Sequence, residues 1–72
     1  MTTAAEASRL VDQAKQYYLS GKAAHEEGNH DHVKFCREVI SEIGKVAHDE
    51  HGPEVAAEID GLLSALPGSV DG

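Results

Sequence analysis

The sequence predicts an all-α fold: a small three-helix domain in which an antiparallel helical hairpin is closed by a third packing helix. Three observations carry that prediction. Apolar residues recur at spacings of three and four along three separate stretches, the period of one helix face. A Gly-Asn pair at positions 28 and 29 separates the first stretch from the second. Gly52 and Pro53 separate the second from the third.

The first helix is expected over Thr3 to Glu27. Ala7, Leu10, Val11, Ala14, Tyr17, Tyr18, Gly21, Ala24 and His25 share its apolar face. Arg9, Asp12, Gln13, Lys15, Gln16, Lys22 and Glu26 fall on the opposite, solvent side. Thr2 or Thr3 caps the N-terminus, with Glu6 as the returning partner of a capping box. Gly28 takes the left-handed conformation that ends a helix, and Asn29 then accepts from the free amides of the next one. A tight antiparallel hairpin follows.

In the second helix Val33, Cys36, Val39, Ile40, Ile43, Val46 and Ala47 form an apolar stripe that runs to about His48. Phe35 lies off its centre, either as an exposed contact residue or wrapped onto the third helix. Pro53 suits the first turn of a helix, and Glu54 beside it favours the positive end of the helix dipole. The third helix runs to about Leu66 on a face of Val55, Ile59, Leu62, Leu63 and Leu66, until Pro67 and Gly68 end it. Gly61 inside it costs roughly 1 kcal/mol relative to Ala unless it allows close packing. Residues 1–66 are thus one domain, and 67–72 a mobile C-terminal tail with too little apolar content to pack.

Length and charge bound the function. At 72 residues the chain sits where a single core leaves little stability margin, so an added source of stabilisation is expected. One cysteine excludes an intramolecular disulfide and a cysteine zinc knuckle, which leaves close helix packing or association with a second copy or a partner. A formal charge of -7 repels phosphate backbones and anionic headgroups, so direct binding to nucleic acid is not expected. Neither is binding to a membrane, since no segment approaches the 18 or so apolar residues of a span. MTTAAEAS lacks the basic and apolar runs of a signal peptide, and a cytoplasmic protein with a reduced Cys36 is the expectation. The alanine-rich, lysine-poor composition is similar to that of small accessory proteins of GC-rich bacteria or their phages.

Tyr17 to Ile40 resembles a single tetratricopeptide-repeat-like helical hairpin. Tyr17 stands at the repeat's aromatic position, Gly21 at the glycine where two helices approach closely, Gly28 and Asn29 at the turn, and Ile40 where a small residue packs the second helix. Ser20, Ala24, Val33, Arg37 and Lys45 replace the leucine, tyrosine, alanine, aromatic and proline of the pattern. The likeness covers about one repeat of roughly 34 residues, where at least three normally build a continuous core. It implies binding of a peptide or protein.

The five histidines are the one set with ligand chemistry. His30 and His32 flank Asp31 at the hinge, His48 and His51 share a side near the end of the second helix, and His25 is the fifth. With neighbouring carboxylates these residue types suit zinc or nickel. A site needs three or four ligands, and the two pairs lie about 24 Å apart along one helix, so only antiparallel dimerisation unites them. Solvated loop and capping residues are the expected roles, with no metal and no cofactor. Protonating all five would move the formal charge from -7 to -2, which makes association responsive to pH between about 5 and 7.

Catalysis finds no support. Cys36 belongs to the apolar stripe, where a free cysteine acts as a small hydrophobe, although His32 stands one turn before it. Gly21 and Gly28 are isolated punctuators rather than a phosphate loop, and neither Ser20 nor Ser41 sits on a strand-to-helix turn. The expected function is therefore a small acidic non-enzymatic protein-protein interaction or regulatory module, oligomeric or bound to a partner protein. Tyr17, Tyr18, Phe35, Leu62, Leu63 and Leu66 are its candidate contact residues, with core packing as their competing role. One alternative is an acidic mimic of nucleic acid that blocks a basic protein; another is a metal-binding protein built on the histidines.

Overall fold

A computed structural model describes residues 4–67 as three α-helices: α1 over Ala4–Glu27, α2 over His30–His51 and α3 over Pro53–Ala65. The expected caps at Thr2 and Thr3 and the tail from residue 68 onward lie outside the described residues. The three-helix, all-α architecture is as the periodicity predicts. Its second helix runs to His51, one turn past the point near His48 where the apolar stripe ends, with His48 and His51 in its last turn as expected.

Each reversal is a short piece of backbone chemistry. Gly28 has φ of 78°, and its amide donates to the carbonyl of His25 at 3.1 Å while that of Asn29 donates to Ala24 at 2.8 Å. These two bonds are the Schellman closure of α1, and they satisfy carbonyls that the helix end leaves open. Asn29 Oδ1 then accepts the backbone N–H of His32 at 3.2 Å, capping α2. At the other end a single residue, Gly52, connects α2 to α3. Its φ of 96° and ψ of 177° lie in a region open essentially to glycine alone. Its N–H donates to the carbonyls of both Ala47 and His48 at 3.1 Å. Pro53 follows at the first position of α3, where a missing N–H costs nothing.

The helices run up, down and up. Glu6 and Leu10 at the start of α1 lie beside Glu50 and His51 at the end of α2. Ala7 and Val11 lie beside Val55 and Glu58 at the start of α3. The core between them is built from Ala14, Ala24, Val33, Cys36, Ile40, Ala47, Ile59 and Leu66, all buried. Small residues set the spacing. A Cβ on Gly21 would stand 2.9 Å from Leu66 Cδ1 and 3.2 Å from Cys36 Cβ, so α1 meets both other elements at this point. At Gly44, α2 meets α3 less tightly: a Cβ built there would lie in ordinary contact with Ile59 Cγ2 at 3.5 Å. No residue contacts Gly61 in that way, so it remains an uncompensated weak point of α3.

Two expected core residues are outside. His25 is exposed, and Val46 is 42% exposed, because each lies at the rim of its apolar stripe where no neighbouring helix reaches. At 13 residues, α3 measures about 20 Å, against about 33 Å for the 22-residue α2. It packs on one side of the hairpin and leaves the other side open.

Candidate protein-binding surface

The open side carries a chain of contacts between α1 and α2 near the hinge. Phe35 packs the edge of its ring against Tyr17, with centroids 6.2 Å apart and planes at 65°. On its own helix it stacks with His32 at 5.9 Å and 27°. His32 Nε2 in turn lies 2.8 Å from Ser20 Oγ on α1. Helical spacing explains the grouping: residues 17 and 20 are one turn apart on α1, residues 32 and 35 one turn apart on α2, and the antiparallel hairpin sets the two turns side by side. Four side chains are thereby held, and Phe35 is still 50% exposed.

Of the alternatives drawn for Phe35, the exposed one holds and the packing on the third helix is corrected. Its ring packs on α1, not on α3, because position 35 points to the flank of α2 that α1 occupies. The other candidate contact residues divide. Tyr17, Tyr18, Leu62 and Leu63 are partly buried and pack against the core. Leu66, 1% exposed, is itself core and leaves the set of surface residues. It ends α3 in an extended conformation and is held at Gly21. Leu19, 61% exposed, is an apolar surface residue that periodicity did not single out.

Next to Phe35, the outer surface of α2 is a shallow depression of about 360 Å³ lined by Phe35, Glu38, Val39, Ser41 and Glu42. Its carboxylates are exposed, as are Glu26, Glu27, Asp31, Asp49, Glu50, Glu54 and Glu58 elsewhere on the three helices. Glu42 has Lys45 at 3.9 Å in an ion pair whose side chains are both 73% exposed. Such a pair contributes at most a few tenths of a kcal/mol. Arg37 on the same helix is half-buried, with Nε and Nη2 shielded from solvent and without a hydrogen-bond partner.

The histidines do not converge. His30 and His48 are exposed on opposite ends of α2, His32 is engaged with Ser20, and His51 lies beside Glu6 and Leu10 of α1. Among the described residues no three His, Cys, Asp or Glu side chains gather as ligands would. Cys36 is fully buried, and the polar contact of His32 goes to Ser20, so the i, i+4 spacing of the two produces no exposed nucleophile and base. Among the described residues no helix is long and apolar enough to cross a membrane. Comparison with protein-family models, with curated proteins and with solved structures returns no match.

What reading the sequence missed is the Ser20–His32 contact and the aromatic pair. The signal was present as Tyr17 and Ser20 before the hinge and His32 and Phe35 after it, both pairs being centred on position 26, just before Gly28. A hairpin that reverses there must bring the two turns together.

Proposed function

We propose that this protein is a small acidic, non-enzymatic protein-interaction module that acts through the helical surface centred on Tyr17 and Phe35. The observation that carries the reading is Phe35: a half-exposed phenylalanine held in place by two rings. A fixed aromatic loses little conformational freedom on binding, and aromatic side chains are enriched where partner proteins make their strongest contacts. Val46, three turns beyond Phe35 on the same side of α2, adds exposed apolar area. The repeat-like hairpin from Tyr17 to Ile40 agrees with a binding role, and the helical surface itself is the means of recognition.

A photo-crosslinking amino acid placed at position 35 of the full chain tests this, with position 57 on the exposed side of α3 as control and light scattering for mass. Discrete adducts from position 35 and none from 57 are expected. A monodisperse monomer that gives the same adducts from both positions would defeat the reading.

A further inference from the structure

The partner's chemistry can be narrowed, on the basis of the module reading above. We propose that the outer surface of α2 at Phe35, Glu38, Val39 and Glu42 docks a basic amphipathic helix of another protein. The depression puts two apolar side chains and two exposed carboxylates in one lining. Phe35 and Val39 are one turn apart, and Glu38 and Glu42 repeat that turn beside them, a rise of about 6 Å. A helix with an apolar residue every third or fourth position and Lys or Arg one turn apart along its edge matches both rows at once.

Charge decides among the occupants. A second copy would bring another -7 and set Glu38 and Glu42 of each copy near those of the other, which costs binding free energy. A nucleic acid or an anionic lipid surface meets the same repulsion. The cations nearest the lining are Lys45, Lys34 and Arg37. Lys45 is held by Glu42 only through an exposed 3.9 Å pair, which an incoming cation displaces at little cost. Lys34 is exposed one turn before Glu38 on the same line of α2, where the exposed Asp31 a further turn back balances its charge, and Arg37 is half-buried with two of its nitrogens shielded. A cationic helix with an apolar stripe is the occupant that gains on both counts.

The probe is a short fluorescein-labelled helical peptide of Leu, Ala and Lys, with Leu along one face and Lys on its edges. Its partner probe carries Glu at every Lys position. Anisotropy is expected to show saturable binding of the Lys peptide, weakened about tenfold or more by Phe35→Ala, one such factor being 1.4 kcal/mol. The double variant Glu38→Gln/Glu42→Gln is expected to weaken it to a similar extent and to flatten its salt dependence. Glu54→Gln/Glu58→Gln, the same change of charge on α3, leaves binding intact. All four glutamates are exposed, so these variants fold, and circular dichroism verifies it. Equal loss in the two double variants means that the peptide follows net charge alone, and overturns the proposal. Adducts from position 35 with a second copy or with an acidic protein also overturn it while the module reading stands. The absence of any adduct specific to position 35 removes the module reading itself.

Discussion

The two sides of the α1–α2 hairpin are made of different residues, and the difference runs against what burial alone would select. The side covered by α3 is dominated by small side chains, with Ala14, Gly21, Ala24, Cys36, Gly44 and Ala47 around Val33 and Ile40. The open side carries Tyr17 and Phe35, two of the three aromatic residues in the chain. Tyr18, the third, is only partly buried. Aromatic side chains have the most apolar area to remove from water, yet none lies in the fully buried core. Small residues on the covered side are what close approach of three helices requires, as the spacing at Gly21 shows. Phe35, half in water on the open side, has no such structural reason, and the proposed binding surface would supply one.

If the covered side holds the fold, cutting into it must be costly. Ile59→Ala removes a fully buried side chain packed between α3 and Gly44, and a loss of about 2–5 kcal/mol is expected. In a domain of this size that is most of the available stability. Urea unfolding followed by helix circular dichroism measures it, and a loss below about 1 kcal/mol would mean that α3 does not depend on the hairpin.

The reverse change tests the spacing. Gly21→Val forces two methyl groups toward Leu66 and Cys36, where even a Cβ is crowded, and overpacking of this kind costs about 1–3 kcal/mol. Gly21→Ala is milder, since the nearest atom is the end of the flexible Leu66 side chain and the helix gains propensity of about 1 kcal/mol. The same denaturant series compares the two. Val no worse than Ala would show that the helices have room to separate.

How far these positions were legible in the sequence depends on what fixes them. Helix number, the hinge at Gly28 and Asn29 and the start of α3 at Pro53 were legible, since each rests on local backbone chemistry: a positive φ, a side-chain cap, a residue without an N–H. The edges of the apolar stripes were not. Periodicity gives the direction of a face but not its width, and the width is set by how far a neighbouring helix reaches. Val46 and His25 were therefore assigned to the apolar faces and proved exposed, and Phe35 met α1 rather than α3. Leu66 was counted both on the apolar face of the third helix and among the candidate contact residues; the glycine at position 21 is what lets it reach the core. For the site, Tyr17 and Phe35 were singled out individually, whereas their contact required the register of the hairpin.

A smaller effect of opposite sign comes from the solvent side of α3. Gly61 is exposed and a Cβ there meets nothing, so Gly61→Ala is expected to raise stability by up to about 1 kcal/mol through propensity alone. A rise in the urea midpoint without a change in slope would show this. No rise would indicate that α3 frays after Ile59, and that the covered side is held mainly by its first two turns.

The smallest expected change in stability is at the most informative residue. Phe35→Ala removes a ring that contacts Tyr17 and His32, and an aromatic pair contributes about 0.5–1.5 kcal/mol when well buried. Phe35 is half in water already, which lowers that figure, and Ala has the higher helix propensity, by up to about 0.7 kcal/mol. The two effects oppose each other, so the variant should unfold within about 1 kcal/mol of the parent. A loss of 3 kcal/mol or so, the scale of a core phenylalanine, would place Phe35 with Ile59 as a structural residue and erase the distinction between the two sides. A near-neutral change in folding beside a large loss of peptide binding would instead separate them, because only a side chain kept at the surface for contact with another molecule has that pair of effects.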